Sequence, residues 1–419
     1  ASWANLNSWE TVLKPFYQTA YKMLGATENP KLFSADLVVK EIAKDLNKEH
    51  YFEPTNVAVY FGEEGKTVKD PYFKGKGPDR TGCIFCGACM TGCRHNSKNT
   101  LDRNYLFLAQ QLGAEIIAEN EVYNVSALGD NLGETGYKVE FKSSFGKKKY
   151  KSFTTKGVVF SGGVLGTVSL LLKLKGKSLP NLSEKVGCNI RTNNESLVMV
   201  TSTEKKTKNY SKGIAIGSIL HTDENSHLEP VKYGEGSGFF RTLTMPSVHH
   251  KFVLFRLLGI VALLIKQPIR LLKTMFAKNF SKRTTILLFM QTLDSTLRMK
   301  LGKFTLLKTE KEEGEKPNAF ISEALFLGKK FGKKVKGVPY ANITDTLLGT
   351  PTTAHILGGA VMGENILQGV IDKNNNVFGY KNMMICDGSM ISANPGVNPS
   401  LTITAITELA MSNIPVKNK

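Results

Sequence analysis

The 419-residue sequence contains no G-x-G-x-x-G. Gly75-Lys76-Gly77 comes nearest, but it lacks the third glycine and neither follows a strand pattern nor opens a helical one. Within these residues this excludes the turn that seats a dinucleotide diphosphate on a helix N-terminus. No apolar run reaches the ~20 residues that a membrane-spanning helix needs. No recognisable nucleic-acid-binding module accompanies the formal charge of +19, so no nucleic-acid partner is expected. Gly236–Leu293 holds no Asp or Glu. There is no initiator methionine and no signal peptide at Ala1–Asn7, and the chain reads as starting in mid-protein.

What is present is an ordinary globular composition, 41% hydrophobic and 22% charged, long enough for two domains. The positive balance is mostly lysine. Its tracts, Lys147–Lys151 and Lys329–Lys336, are short and scattered and read as solvated surface, or as attraction to an anionic membrane.

The densest set of informative residues lies near the C-terminus. Thr353–Gly359 reads T-A-H-I-L-G-G, a histidine on a Gly-rich turn. Met383–Cys386 suits a buried strand that empties into Asp387-Gly388-Ser389. Gly396–Ala405 reads G-V-N-P-S-L-T-I-T-A, where Pro399 suits a first helical turn because its missing N–H costs nothing there. The free N–H groups of that helix end would face an electron-rich ligand. Taken singly, His355 also reads as a satisfied core histidine and Asn398 as a helix cap.

This ordered series resembles the glucose–methanol–choline (GMC) flavin oxidoreductases, and within them the cholesterol-oxidase-like branch. The resemblance extends through S-G-G-V-L-G-T at Ser161–Thr167, H-L-E-P-V at His227–Val231 and the block around Cys83–Tyr105, and so covers most of the chain. It implies that His355 and Asn398 form the reacting pair over a flavin ring. It also implies that Asp387–Gly388 and the Asn398-Pro399 helix start lie beside FAD, and that Val122 meets the adenine side. Glu229, in H-L-E-P, takes the place of the carboxylate that moves a proton in steroid double-bond isomerisation. The family opens with a G-x-G-x-x-G unit, so its absence here implies weak FAD binding by this chain alone.

Along the chain, Ser8–Leu24 and Ala35–Leu46 have helical spacing, with Ser8 as a candidate cap. Glu53–Gly82 reads as a long ordered loop. Four of the six cysteines then fall in eleven residues, as Cys83-x2-Cys86-x2-Cys89-x3-Cys93. Thiolates so close repel unless a metal or disulfide neutralises them. The spacing equals that of bacterial ferredoxin ligands, with Arg94 in place of the usual proline. An iron–sulfur cluster, zinc, a redox disulfide pair and a reduced structural loop are the open readings. Cys188 and Cys386 sit in apolar runs and read as core.

Asn99–Gln111 reads as a helix, Ala114–Val122 as a strand, and the segments around Ser143–Lys149 as a hairpin. Gly157–Phe160 is a buried-strand run whose turn, Ser161-Gly162-Gly163, lets backbone approach a phosphate or adenine closely. From Arg191 to Pro351 short strands suit an antiparallel sheet, and His221, Asp223, Glu224, His227 and Glu229 fall in a loop-like stretch. Inside the acid-free span, Val253–Ile265 is strongly apolar, interrupted by Arg256 and followed by Lys266, Arg270 and Lys273. On a helical wheel at ~100° per residue these four cations share one arc, which Pro268 would disturb. A lipid-interface segment and a core helix with cationic heads reaching outward both fit.

The expected fold is an α/β FAD-binding domain of GMC type, N-terminally incomplete, plus an α+β substrate domain with an antiparallel sheet. The expected boundaries are 1–82 (lid and helices), 83–190 (FAD domain with the cysteine loop), 191–351 (substrate domain) and 352–419 (catalytic motifs). The expected activity is oxidation of a lipophilic, sterol-like alcohol by hydride transfer to FAD. The rivals are an iron–sulfur electron-transfer protein and a flavin-less binding paralogue. Oxygen, a quinone and a protein all stand as electron acceptors. The expected location is cytoplasmic, in contact with a membrane face.

Overall fold

The computed structural model describes residues 2–129, 131–204, 207–312 and 317–416. Strands with apolar residues at alternate positions form a seven-stranded antiparallel sheet. Its order is Thr244–Pro246, Gly337–Asn342, Ser196–Ser202, Thr284–Gln291, Ser226–Val231, Ser218–Asp223 and Phe52–Pro54. The period of two places Val198, Val200, Leu228, Leu287 and Phe289 on one face, covered by the helices Ser34–Asp45 and Ser322–Lys334. Met199, Val231, Ile286, Leu288 and Met290 occupy the other. His227 pairs with Met290 and Glu229 with Leu288, so both side chains share this second face.

The stretch from His221 to Glu229, expected as a loop, is instead a hairpin. Leu220 and Leu228 pair across it and are fully buried, which turns the alternate positions His227 and Glu229 inward as well. The strand expected at Ala114–Val122 begins only at Asn120 and runs to Ala127. Val125 anchors it in the core, whereas Ile116 and Ile117 lie exposed. The helix expected from Asn99 is regular only over Tyr105–Gln111. Ser8 makes no side-chain cap bond to the helix Trp9–Met23.

The second layer is built on two parallel strands, Val158–Phe160 and Met383–Ile385, paired Val158 to Met383 and Phe160 to Ile385. The helix Gly163–Leu174 leaves the first strand, and Ser400–Ser412 packs against Trp9–Met23, with the Tyr17 hydroxyl donating to Thr402 Oγ1 at 2.9 Å. Packing therefore crosses the boundary expected at 82. Trp9–Met23 joins the C-terminal helix, while Ser34–Asp45 and Phe52–Pro54 join the large sheet.

The acid-free span forms two helices, Val253–Lys266 and Pro268–Met275, with Pro268 opening the second as its geometry favours. Two of the four cations expected to share one arc, Arg256 and Arg270, turn inward, while Lys266 and Lys273 stay exposed. Arg256 is 2% exposed and donates to the carbonyls of His250 (2.7 Å), Lys251 (3.1 Å) and Leu347 (3.0 Å). Arg270 donates inward to Gly337 O at 2.8 Å. The apolar residues Leu254, Ile265, Ile269 and Phe276 face outward, 63%, 75%, 68% and 72% exposed. Among the described residues no helix is long and apolar enough to cross a membrane.

Candidate active site

Backbone pairing ties the Gly-rich turn to strand Ile190–Arg191 of a separate three-stranded sheet, just ahead of strand Ser196–Ser202 of the large sheet. Arg191 N donates to Leu357 O at 2.7 Å, and Leu357 N returns a bond to Arg191 O at 2.9 Å. His355 thereby lies beside Glu195, the residue before strand Ser196–Ser202. The Glu195 carboxylate is fully buried and accepts from His355 Nδ1 at 2.8 Å, from His355 N at 3.3 Å and from Ala354 N. Burial alone would push Glu195 up and His355 down. Their contact reverses both, so Glu195 is held below the usual carboxylate range and His355 above the usual imidazole value. Glu229 and Asn398 add to the rise at His355. With Nδ1 turned to the carboxylate, Nε2 is left as the working nitrogen of the ring.

Asn398 stands where the helix Ser400–Ser412 begins, just ahead of Pro399. Its Nδ2 donates to both Glu229 oxygens, at 3.1 Å each. Asn193 Nδ2 holds the preceding segment through Val397 O at 2.8 Å. Glu229 is buried, and His227 Nε2 lies 3.6 Å from its Oε1. His355, Asn398 and Glu229, distant in the chain, thus meet at one place. Glu195 completes the group and had no motif to mark it. The one signal in the sequence is an acid standing at the head of an otherwise apolar strand. His221 lies outside the group, half exposed and 3.8 Å from Glu53 Oε1.

The turns read as cofactor contacts are tied together. Gly162 N donates to Thr167 Oγ1 at 3.0 Å, and Thr167 Oγ1 donates to Asp387 Oδ2. Ser161 Oγ donates to Cys386 O at 3.1 Å. Gly358 N donates to Gly388 O at 3.0 Å, which links the Asp387 turn to the His355 turn. Val122, Ser161 and Gly162 line a cavity of about 760 Å³, together with Leu165 and Thr167. That cavity does not include His355, Asn398 or Glu229. Gly163 has φ +70°, and a Cβ there would project into open space. A cavity ending at an open, Gly-rich helix start fits the phosphate or adenine end of a dinucleotide. The Asp387–Gly388 turn, joined to it through Thr167, leads towards His355.

The cysteine run forms its own site. Cys83, Cys86, Cys89 and Cys93 are free thiols around one narrow cavity that His95, Ser97 and Lys98 also line. Burial, with a smaller contribution from the neighbouring thiols, pushes Cys83 up to about 11. Among the described residues no three His, Cys, Asp or Glu side chains are placed to hold a single metal ion.

GMC oxidoreductase family models match residues 75–193 and 320–407. A cholesterol oxidase of Acinetobacter baumannii is 40% identical across all of this chain and 77% of that protein. The chain belongs to the GMC oxidoreductases. A cholesterol oxidase of Mycobacterium tuberculosis matches this GMC oxidoreductase at 37% identity, again over the whole chain and 74% of the relative. Among solved structures, a FAD-dependent oxidoreductase from Chaetomium thermophilum shares the fold. It has a TM-score of 0.55 at 13% identity and covers 98% of this chain and 81% of its own. Family membership makes this a FAD-dependent oxidoreductase acting on alcohols.

Proposed function

We propose that this GMC oxidoreductase oxidises a lipophilic, sterol-like alcohol to its carbonyl, with His355 as the base. The observation that carries this reading is the meeting of His355, Asn398 and Glu229 on the second face of the large sheet. The full-length similarity to two cholesterol oxidases supports the substrate class, and supports oxygen as the electron acceptor.

An alcohol carbon loses hydride only as its hydroxyl proton is taken up, so a base must face the substrate oxygen. His355 Nε2 is that base, and Glu195 stabilises the imidazolium it becomes. Asn398, which cannot titrate, holds the substrate oxygen or the flavin edge. Bound FAD supplies the hydride acceptor that no side chain can provide. Val122, Ser161, Gly162 and Gly163 would hold one end of it, and Asp387, Gly388 and Pro399 the other. Glu229 carries the proton between carbons if the ketone product isomerises. The sheet within 191–351 forms the floor of the substrate site.

The outward apolar helices give the enzyme a way to reach a membrane-dissolved substrate. Leu254, Ile265, Ile269 and Phe276 suit the acyl boundary of a bilayer, and exposed Lys251, Lys266 and Lys273 suit anionic headgroups. The absence of acid from Gly236 to Leu293 keeps this face free of repulsion.

The substrate reading is tested by offering sterols, long-chain alcohols and short alcohols to the FAD-loaded protein, with peroxide and carbonyl product measured together. Preference for 3-hydroxysteroids, with one peroxide per ketone, is the expected result. A preference for short polar alcohols overturns the lipophilic reading, and turnover without peroxide overturns oxygen as acceptor.

A further inference from the structure

We propose, resting on the reading of Glu229 as the carrier of a proton between carbons, that His227 and His221 link this buried carboxylate to solvent as a proton path. Strand pairing sets the groups of the path in one row across the large sheet. His221 lies directly opposite His227 on the neighbouring strand, and Glu229 follows two residues after His227 on the same face. On the outer side Ile219 pairs with Glu53 of the edge strand Phe52–Pro54, which brings Glu53 onto this face beside His221. The row descends from water to the active centre. Side-chain exposure is 66% at Glu53 and 43% at His221, whereas His227 and Glu229 are buried. His221 Nε2 lies 3.8 Å from Glu53 Oε1, the two imidazole rings are centred 5.7 Å apart, and His227 Nε2 lies 3.6 Å from Glu229 Oε1. Small ring movements or one bridging water span separations of this size.

His227 is the informative member of the row. Its Nε2 is buried and makes no hydrogen bond among the described residues, although it lies beside a carboxylate. A buried ring nitrogen left without a bond costs stability. A side chain held there only for packing would resemble its neighbours. Met290 pairs with His227 and Leu288 with Glu229, and Met199, Val231 and Ile286 complete an otherwise apolar face. An imidazole supplies what those side chains lack, one nitrogen that takes up a proton while the other releases one. Asn398 donates to both Glu229 oxygens but does not titrate, so the proton on Glu229 does not leave through it.

The path decides which proton the product receives. In moving a double bond into conjugation with a ketone, Glu229 takes a proton from the carbon between the carbonyl and the double bond. The electron pair of that C–H bond enters a dienolate. The carboxylic acid then gives a proton to the far end of the dienolate, which forms a new C–H bond and restores the carboxylate. A carboxyl group sealed from water would return the proton it took. Beside His227 it passes that proton to Nε2, His227 passes the proton on its other nitrogen to His221, and His221 exchanges with solvent. The reverse transfers bring a solvent proton back to Glu229. Each transfer moves a proton alone, so no oxidant or reductant takes part.

The test offers a 3-keto-5-ene steroid to the FAD-loaded protein in deuterium oxide and reads deuterium at the new C–H bond by mass spectrometry and NMR. The parent should place deuterium there in most product molecules. His227→Gln and His221→Ala should each lower that fraction severalfold, and imidazole added to His221→Ala should restore it. Each product molecule records whether its own proton was exchanged, so a substitution that merely reduces the amount of folded enzyme leaves the fraction unchanged. His221 is half exposed, so its variant decides the matter even if His227→Gln fails to fold. Retention of protium by the parent overturns the path, and so does a fraction unchanged in His221→Ala. A parent that leaves the steroid unisomerised overturns the reading of Glu229 and the path with it, an outcome distinct from isomerisation with protium retained.

Discussion

At the scale of single residues, the pair His355–Glu195 governs the chemistry. General base catalysis contributes about 10²–10⁴-fold, so His355→Ala should lower kcat by that factor while FAD stays bound. Steady-state turnover alongside flavin absorbance checks both. A base works deprotonated, so activity falls as pH drops through its folded-state value. Glu195 stabilises the protonated ring and raises that value, which sets the acid limb of the kcat/KM profile above the ordinary imidazole range. Glu195→Gln removes the charge, so the limb should move to lower pH. An unmoved limb would mean that another group titrates there. Glu229→Gln should spare alcohol oxidation and stop only isomerisation of a sterol ketone, as product analysis would show.

At the scale of elements, the helices Val253–Lys266 and Pro268–Met275 hold their place through arginines turned inward. Arg256→Ala strands the carbonyls of His250, Lys251 and Leu347, each lost bond costing about 1–3 kcal/mol where water cannot replace it. The midpoint of denaturant unfolding should fall accordingly. The outward residues behave differently because they bury little in the free protein. Ile265→Ser with Ile269→Ser should leave the unfolding midpoint nearly unchanged and weaken sedimentation with anionic vesicles. Docking of the parent should also release as salt rises, since screening weakens the attraction of lysine for headgroups. Vesicle binding that survives the double substitution would point to some other surface.

At the scale of the whole molecule, a buried ion pair ties the helix Ser34–Asp45 to the residue that follows strand Ser226–Val231 of the large sheet. Lys232 Nζ lies 2.7 and 2.8 Å from the two oxygens of Asp36, and both side chains are wholly buried. Asp36 also accepts from Phe33 N at 2.8 Å and Ser218 Oγ at 3.1 Å. Burying the pair costs desolvation that its own attraction roughly offsets, so its presence adds little net stability. Removing one member is another matter. Asp36→Asn leaves a buried ammonium uncompensated and should cost about 3–5 kcal/mol in urea unfolding, while adding Lys232→Met should restore part of the loss.

Much of this was legible in the residues themselves. Local chemistry sufficed where a short segment determines its own conformation. Examples are the glycine turn after Phe160, Pro399 at a helix start, Pro268 between two helices and the cysteine spacing. The ordered motifs also sufficed for the family. Tertiary structure alone decided which side of each element faces inward. Arg256 points into the protein because the carbonyls of a distant turn at Leu347 await a donor, a fact that no helical wheel contains. His227 and Glu229 are buried because their hairpin pairs with Thr284–Gln291, so strand alternation outweighs a polar composition that reads as loop. Glu195 gains its partner only when Arg191 and Leu357 pair and carry His355 to it. Conformations set by near neighbours can be read from sequence, whereas partners brought together across 160 residues exist only once the chain has folded.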